Sequence, residues 1–220
     1  MALMALMALM ALVGLVAGPA LASPARMPQG QAETQAAIGG RGVTEVSSTS
    51  GLRRWIDGFR ARALQAGIGA DVFDSALNGL RYNAAVVERD RNQAEFTKPI
   101  WDYLDNAVSE ERIRNGRAAL ARHAALLDRI EASFGVDREV VVAIWGLESA
   151  YGTVRGDVPV IEALATLAYD GRRGRFFEDQ LIEALRIVQQ GDVSAQGMLG
   201  SWAGAMGHTQ FIPSSYHAFA

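Results

Sequence analysis

Apolar residues recur at helical spacing along most of the chain from Gly51 onward. Side chains three or four positions apart lie on one face of an α-helix, so such a stripe predicts an amphipathic helix. One stripe comprises Leu52, Trp55, Ile56, Phe59 and Ala63, a second Leu120, Ala124, Leu127, Ile130 and Phe134, and a third Phe177, Leu181, Leu185 and Val188. Because glycine commonly follows the last turn of a helix, we expect these helices to end at Gly67, Gly135 and Gly191.

Residues that favour helix ends predict three more helices. Asp137 is an N-cap candidate for a helix over residues 138–150, which Gly152 would terminate. Proline suits the first helical turn, so we expect a helix over residues 159–168 and another that opens at Pro213. No segment alternates apolar and polar residues over the length of a strand. The pattern therefore predicts a mainly α fold.

The ends of this pattern delimit one domain. Residues 1–22 begin with an almost wholly apolar run and end in a small-residue cleavage pattern, which predicts a secretory signal peptide. Residues 23–50 have no apolar periodicity and are predicted to form a flexible linker. Residues 51–220 are long enough to bury one sizeable core. Within them, the polar stretch 89–95 is interpreted as a surface loop or short turn.

Retention of the first apolar segment as a membrane anchor is the alternative to cleavage. A spanning helix needs about 20 apolar residues, and Gly14, Gly18 and Pro19 shorten this run toward the length of a signal peptide. The chain has no cysteine that could accept an amino-terminal lipid, which excludes a lipoprotein. We therefore expect a secreted product that contacts a membrane only through an uncleaved signal segment.

Charge and residue usage exclude several classes of partner and site. The 21 Lys and Arg residues against 24 Asp and Glu give a net charge of −3, which provides no field for holding nucleic acid. The absence of Cys excludes disulfides, a thiol nucleophile and Cys-ligated zinc or iron–sulfur sites. The three His residues are scattered and form no metal-binding motif. We expect no metal and no cofactor.

Glu148 is the first candidate for chemistry because it interrupts an apolar stripe. It follows Ile144 by four positions and Trp145 by three, so all three share one helix face. An ionised carboxylate against apolar side chains is unfavourable unless it is paired or its pKa rises, and a raised pKa suits a general acid. The alternative is a structural carboxylate paired with an arginine, for which Arg155, Arg172 and Arg173 are the candidates. Periodicity alone favours that alternative.

Residues 197–216 form a second unusual stretch, in which four glycines alternate with bulky apolar residues. Glycine lets the backbone turn at positive φ and approach a ligand closely. Trp202, Gln210 and Tyr216 are side-chain types that bind sugars by stacking and hydrogen bonding. The stretch is therefore either the wall of a sugar-binding groove or a tightly packed joint between two helices, and its composition supports both interpretations equally.

Four motifs in order carry a resemblance to a known family. They are Trp145 to Gly152, Ile161 to Ala168, Arg172 and Arg173 ahead of Phe176 and Phe177, and Gly200 to Tyr216. Together with residues 95–103, these motifs resemble the lytic murein transglycosylase B family over residues 51–220. The specificity of the resemblance lies in the order and spacing of all four motifs, since any one of them alone is weak.

The resemblance implies a lysozyme-like helical catalytic domain that acts on the β-1,4 bond between N-acetylmuramic acid (MurNAc) and N-acetylglucosamine (GlcNAc). Glu148 matches the catalytic glutamate of the family. Ser201 and Gln210 match positions that line the sugar site, and Arg172 and Arg173 match an arginine pair that meets substrate carbonyls or carboxylates. The family's catalytic domain normally continues beyond the last motif, so we expect this chain to hold its amino-terminal portion.

The reaction implied by the resemblance uses one carboxyl group, without water or metal. Glu148 would protonate the glycosidic oxygen and then deprotonate the C6 hydroxyl of the same muramic acid, leaving a 1,6-anhydro end. One alternative is a hydrolytic muramidase with a second carboxylate, for which Asp157, Asp170 and Glu178 are candidates. Another is a non-catalytic peptidoglycan-binding protein.

The resemblance also implies where the chain acts and with what. Its expected partner is the glycan strand of peptidoglycan, together with proteins of cell-wall synthesis or the divisome. With the predicted signal peptide, this implies a periplasmic location. The implied role is in remodelling and turnover of the cell wall.

Overall fold

The computed structural model describes residues 40–92 and 99–220, which form ten helices and two short strands. The helices are α1 (Gly40–Gln65), α2 (Ala70–Leu77), α3 (Ala84–Arg91), α4 (Ile100–Ala107), α5 (Glu110–Arg122), α6 (Ala124–Phe134), α7 (Arg138–Ser149), α8 (Val160–Asp170), α9 (Gly174–Gln190) and α10 (Pro213–Phe219). The strands are β1 (Val158–Pro159) and β2 (Leu199–Gly200). The predicted mainly α fold is confirmed. The predicted signal peptide lies outside the described residues.

Helix α1 begins at Gly40, so the last part of the predicted linker is helical rather than extended or irregular. The apolar face predicted for this region is buried, with Leu52 and Ala63 fully enclosed. A Cβ at Gly51 would overlap the Tyr169 ring, so this glycine lets α1 pack closely on α8. Once tertiary packing has formed the helix, extending it toward the amino terminus requires no new nucleation, and polar residues can continue it.

The stripe predicted as one helix from Leu120 to Phe134 is two helices. His123 ends α5 and precedes α6, with φ −108° and ψ 17°, which breaks the regular hydrogen-bond ladder. The apolar spacing continues across the break because both helices pack against α7. The predicted end at Gly135 is correct, since this glycine has φ 65° in the left-handed region.

The polar stretch predicted as a surface loop from residue 89 is helical as far as Arg91. The Asn83 side chain caps α3 by accepting a hydrogen bond from the Val86 backbone N–H at 3.3 Å. Val86 is buried, and so is Asp90. The interpretation as a loop was therefore wrong for residues 89–91. The interpretation as solvated was wrong for Asp90, although Arg89 and Arg91 are exposed, because a charge pattern alone does not reveal a buried ion pair. Residues 93–98 lie outside the described part of the chain.

Two apolar clusters hold the described residues together. The larger is formed by α1, α2, α3, α8 and α9, and Leu164, Leu181 and Leu185 at its centre have no exposed surface. The smaller joins Ala119 of α5, Leu127 of α6 and Val142 of α7. Helix α7 belongs to this smaller cluster, so the chain must pass between the clusters after Ser149.

The passage between the clusters is anchored by the two short strands. Val158 pairs with Gly200 and Pro159 with Leu199 in antiparallel register. The Val160 N–H then donates to the Met198 carbonyl at 2.9 Å as α8 begins. This pairing holds the segment after α7 against the glycine-rich stretch. Within residues 40–92 and 99–220, none of the helices has the length and apolar character needed to cross a membrane.

Most predicted helix ends agree with the structure. Helix α7 covers the predicted range, although the Asp137 side chain makes no capping hydrogen bond. Pro159 directly precedes α8, which continues to Asp170, and Pro213 opens α10. Gly191 follows α9 with φ 85°, as the apolar stripe predicted.

Candidate functional site

Glu148 lies in the last turn of α7 with only 7% of its surface exposed. Among the described residues its carboxylate makes no hydrogen bond or ion pair. Burial raises the pKa of the Glu148 carboxyl above its ordinary value, because a charged carboxylate is disfavoured away from water. A carboxyl group in this setting can hold a proton closer to neutral pH and donate it to a bound group.

The alternative role for Glu148, a structural carboxylate paired with arginine, does not fit the geometry. Arg172 and Arg173 both bind Asp90 on α3. Arg155 is an exposed residue whose carbonyl accepts a hydrogen bond from Gln210. None of the three candidate arginines forms an ion pair with Glu148.

The chain reverses sharply directly after Glu148 and Ser149. Ala150 has φ 48° and Tyr151 has φ 59°, both in the left-handed region that non-glycine residues rarely adopt. The Tyr151 ring fits closely over Gly146 and Gly116, where a Cβ would overlap it. Its hydroxyl donates to the Arg112 carbonyl at 2.7 Å. These contacts hold the reversal, which starts before the predicted stop at Gly152.

The end of α7 is attached to the glycine-rich stretch through Ser149 and His208. The Ser149 hydroxyl donates to the His208 carbonyl at 2.7 Å and accepts from the Gly152 N–H at 3.0 Å. The Trp145 indole N–H donates to Nδ1 of His208 at 3.1 Å. Glu148 therefore lies on a helix whose last turn is bound to the stretch that carries the predicted sugar-site residues.

Ser201 stands at the start of the glycine-rich stretch and is buried. Its hydroxyl oxygen accepts from the backbone N–H groups of Ala203 at 3.3 Å and Ala205 at 3.1 Å. Its own N–H donates to the Ala205 carbonyl at 2.8 Å. With both acceptor directions used by the backbone, the Ser201 hydroxyl proton is the part left to donate to a ligand.

Gln210 is also buried and has φ 51°, a strained value for a residue other than glycine. Its Nε2 donates to the Gly207 carbonyl at 2.7 Å and to the Arg155 carbonyl at 3.0 Å. The side-chain amide therefore joins the glycine-rich stretch to the segment that follows α7. Trp202, by contrast, is half-buried against the larger core.

Tyr103 on α4 is a residue of this site that the sequence did not single out. Burial raises the pKa of its hydroxyl; Arg112 lowers it, and Glu148 raises it again by a smaller amount. The effect of Glu148 on this pKa shows that α4 lies near enough to feel the Glu148 charge, although the helix is distant in sequence. The Tyr103 hydroxyl oxygen is buried and has no hydrogen-bond partner within residues 40–92 and 99–220. The sequence signal available for Tyr103 was an aromatic residue on an amphipathic helix. Only the fold shows which residues the Tyr103 side chain faces.

The arginine pair predicted to contact substrate is held by a buried acid. The Asp90 side chain is 1% exposed and accepts from Nε and Nη2 of Arg172, and from Nη2 of Arg173 at 2.8 Å. The Arg173 guanidinium also lies over the Phe177 ring, 4.9 Å from its centroid. The Arg172 side chain remains 44% exposed. The pair is thus fixed on one side while Arg172 still reaches solvent.

The remaining predicted residues have other contacts. The Tyr216 hydroxyl donates to Asp192 at 3.1 Å, which joins α10 to the end of α9. Asp170 binds Arg91 at 2.7 Å, and Glu178 binds Arg62. Two of the three candidates for a second catalytic carboxylate are therefore in ion pairs, while the third, Asp157, is exposed. Within the described residues, no group of three or more His, Asp or Glu side chains could hold a metal ion.

Comparison with known proteins places this geometry in a family. Residues 51–220 match the transglycosylase SLT domain. Membrane-bound lytic murein transglycosylase B of Escherichia coli (strain K12) is 33% identical over 119 residues, which are 54% of this chain and 33% of that protein.

Solved structures agree with the sequence matches. SltB3 from Pseudomonas aeruginosa, in complex with NAG-NAM-pentapeptide, is 52% identical with a TM-score of 0.73, covering 77% of this chain and 45% of that one. SltB1 from the same organism is 30% identical with a TM-score of 0.70, covering 76% of this chain and 57% of that one. Escherichia coli Slt35 in complex with bulgecin A is 28% identical with a TM-score of 0.67, covering 78% and 55%.

The chain spans one third of the curated relative and about half of each of these solved chains. The resemblance carried by the four sequence motifs is confirmed, as is the helical fold that it implied. The match over residues 51–220 shows that this chain belongs to the transglycosylase SLT domain family.

Proposed function

We propose that this chain cleaves the β-1,4 bond between MurNAc and GlcNAc in peptidoglycan without water, with Glu148 as its one catalytic carboxyl group. The observation that carries the proposal is the state of Glu148, which is buried, has no protein partner among the described residues and has a raised pKa. A carboxyl group with these properties is suited to protonate a leaving group. The family membership supplies the substrate class.

The reaction is an intramolecular transglycosylation, in which Glu148 gives up one proton and takes up another. Glu148 gives its proton to the glycosidic oxygen, and the bond from that oxygen to C1 of MurNAc breaks. The Glu148 carboxylate then takes the proton of the C6 hydroxyl, and O6 bonds to C1. The products are a free GlcNAc hydroxyl and a 1,6-anhydro MurNAc end. The related SltB3 has also been solved in complex with NAG-anhNAM-pentapeptide, which supports such a product.

The contacts of the three candidates for a second catalytic carboxylate favour this route over hydrolysis. Glycosidases with two carboxylates keep both groups at the scissile bond, about 5–10 Å apart. Here Asp170 and Glu178 are in ion pairs with arginines, and Asp157 is exposed. The substrate's own C6 hydroxyl would serve as the nucleophile, so Glu148 would act first as acid and then as base.

The predicted sugar-site residues have distinct roles in this proposal. The Ser201 hydroxyl, whose oxygen already accepts two backbone N–H groups, would donate its proton to a sugar acceptor such as an acetamido oxygen. Gln210 uses its amide N–H groups within the protein, which leaves its oxygen to accept from a sugar hydroxyl. Both residues would hold the sugar against Glu148.

The arginine pair would bind the peptide that branches from MurNAc. Arg172 is fixed by Asp90 and remains partly exposed, which suits recognition of a carboxylate or carbonyl at the surface. Tyr216 would contribute an aromatic surface at the end of the glycine-rich stretch, while its hydroxyl stays bound to Asp192. The proposed location is the periplasm, reached through the predicted signal peptide. Its proposed role is remodelling and turnover of the cell wall.

The test compares the full chain with its Glu148→Gln and Glu139→Gln variants on purified sacculi. Glu139 is an exposed residue on the same helix, so its replacement is a matched control. Soluble fragments are identified by mass spectrometry. We expect 1,6-anhydro ends from the wild type and the control, and none from Glu148→Gln. Normal turnover by Glu148→Gln would overturn the proposal.

Two other outcomes identify the alternatives. Reducible MurNAc ends would show a hydrolytic muramidase and contradict the single-carboxylate route. Binding of the wild-type chain to sacculi with no soluble fragments would show a peptidoglycan-binding protein without activity.

A further inference from the structure

His208 makes two different contacts with the helix that carries Glu148. Its ring Nδ1 accepts the Trp145 indole N–H at 3.1 Å, in the neutral tautomer with the proton on Nε2. Its backbone carbonyl accepts the Ser149 hydroxyl at 2.7 Å. Trp145 and Ser149 are one helical turn apart, and Glu148 lies between them in sequence. A single residue of the glycine-rich stretch therefore holds both ends of the turn that presents Glu148.

The ring of His208 is positioned by close packing as well as by the hydrogen bond. A Cβ at Gly152 would overlap the imidazole ring, so only glycine leaves room for it there. The Trp145 indole, which donates to His208, also packs edge-on against two other rings. Its centroid lies 5.5 Å from that of His123 and 5.8 Å from that of Tyr151. The indole is half-buried and lies between aromatic rings, and its N–H donates to the exposed residue His208.

The stretch that His208 anchors also carries Ser201 and Gln210, the predicted sugar-site residues. Backbone pairing with β1 and the Gln210 amide attach the glycine-rich stretch to the segment after α7, whereas the His208 contacts attach it to α7 itself. We infer that His208 is a positioning residue that sets the distance and angle between Glu148 and the sugar-binding wall formed by Ser201 and Gln210.

This inference rests on the proposed role of Glu148 as the catalytic acid. Proton transfer to a bound sugar requires the carboxyl and the glycosidic oxygen to be held within hydrogen-bond reach, and a displacement of about 1 Å can reduce turnover by roughly a hundredfold. His208 touches neither the substrate nor Glu148 in this scheme. Its effect is transmitted through Trp145 and Ser149.

Two variants separate the hydrogen bond from the packing of the ring. In His208→Asn the side-chain oxygen is attached to Cγ, as Nδ1 is in histidine, so the acceptor is kept while the ring is lost. In His208→Phe the ring is kept and the acceptor is lost. His217→Phe is the control, because His217 lies on α10, where its ring contacts Glu183 and the Tyr216 ring, and phenylalanine keeps the ring contact.

The first measurement is turnover on purified sacculi, with kcat and KM determined separately. We expect His208→Phe to lower kcat by about tenfold to a hundredfold with a smaller change in KM, because the sugar wall remains but is misplaced. We expect His208→Asn to restore most of the loss and His217→Phe to leave kcat unchanged. Equal kcat for His208→Phe and the wild type would overturn the inference, as would loss of kcat in His208→Asn equal to that in His208→Phe.

The second measurement does not depend on activity. The chain has four tryptophans, and the indole N–H signal of Trp145 can be assigned in a nitrogen–proton correlation spectrum by its loss in Trp145→Phe. We expect this proton to exchange more slowly with solvent in the wild type and His208→Asn than in His208→Phe, because an accepted hydrogen bond protects even an exposed N–H. Unchanged exchange in His208→Phe would show that the bond does not form and would overturn the inference.

The two measurements also separate this inference from the proposed function. If Glu148→Gln is fully active, the assignment of the catalytic acid fails, whatever the indole signal shows. If Glu148→Gln is inactive but His208→Phe is not impaired, only the positioning role fails.

Discussion

The charge of Glu148 on α7 raises the pKa of the Tyr103 hydroxyl on α4, and that hydroxyl oxygen is buried without a hydrogen-bond partner among the described residues. A buried, unsatisfied hydroxyl destabilises a folded protein, and such groups are rare away from functional sites. Its presence beside the candidate catalytic carboxyl suggests a hydroxyl kept for a bound ligand. This relationship gives a prediction in which stability and activity change in different directions.

Tyr103→Phe should not destabilise the protein but should impair catalysis. Removing an unpaired buried hydroxyl leaves the free energy of unfolding unchanged or raises it by up to about 1 kcal/mol. If the hydroxyl binds substrate in the transition state, turnover should fall by about tenfold to a hundredfold. Urea denaturation and a sacculus assay measure the two effects.

Tyr151→Phe is the control for this prediction. The Tyr151 hydroxyl donates to the Arg112 carbonyl at 2.7 Å, so its removal should lower the free energy of unfolding by about 1 kcal/mol. A larger loss of stability in Tyr103→Phe than in Tyr151→Phe would contradict the assignment of Tyr103.

Glu148→Gln should stabilise the protein at neutral pH but not in acid. Burial raises the folded-state pKa of Glu148 above its ordinary value of 4.5. The folded state therefore binds the proton more tightly than the unfolded state, and stability falls as pH rises from the unfolded pKa through the folded one. Below that window both states are protonated, so glutamine brings no advantage.

Denaturation midpoints measured from acid to neutral pH test this dependence. The Glu148→Gln variant should gain stability relative to the wild type as pH rises, while Glu139→Gln reports the effect of losing one exposed charge from the same helix. A constant difference between wild type and Glu148→Gln across the range would show that Glu148 has no raised pKa.

Asp90→Ala should be one of the most destabilising single substitutions in the larger core. Removing one member of a buried ion pair costs about 3–5 kcal/mol. Because the Arg172 side chain is 44% exposed, water compensates part of the loss, and we expect about 3 kcal/mol. Asp74→Ala is the control, since the Asp74 side chain is 62% exposed in its pair with Arg60, and should cost about 0–1 kcal/mol.

The pH dependence of the Asp90 effect has a defined sign. Burial alone would raise the pKa of Asp90, but hydrogen bonds from Arg172 and Arg173 outweigh it and hold the pKa below its ordinary value. The stabilisation is therefore present above the unfolded pKa and is lost as pH falls through the folded one. The difference in free energy of unfolding between the wild type and Asp90→Ala should therefore become smaller in acid. Urea denaturation at several pH values measures this difference, and a difference that stays constant would contradict the prediction.

Gly156→Ala should disrupt the contact between the two strands. Gly156 has φ 86°, and a Cβ there would overlap the backbone carbonyl of Gly200. The left-handed conformation costs a non-glycine residue about 1–2 kcal/mol, and overpacking adds about 1–3 kcal/mol. Gly191→Ala isolates the first contribution, because Gly191 has φ 85° and open space around its Cα. Equal thermal destabilisation by the two substitutions would contradict the steric part of the prediction.

Local sequence was sufficient for α7 to α10 and for Glu148 as a candidate. The apolar stripe of α9, the glycine after it and the proline that opens α10 act over a few residues, so their spacing predicts the same elements in any compact fold. The interruption of the α7 stripe by Glu148 was likewise visible, because i and i+4 positions share a helix face wherever the helix lies.

Contacts between distant segments were decided by the tertiary structure. Asp90 and Arg172 are 82 positions apart, and a charged stretch that ends a helix looks the same in sequence whether it faces water or a buried partner. The break at His123 was also hidden, because the apolar spacing continues through it. Sequence by itself determined which residues would be apolar, helical and chemically capable. Only packing decided that Glu148 is buried without an ion-pair partner in the described part of the chain, because burial and pairing depend on segments that no local pattern relates.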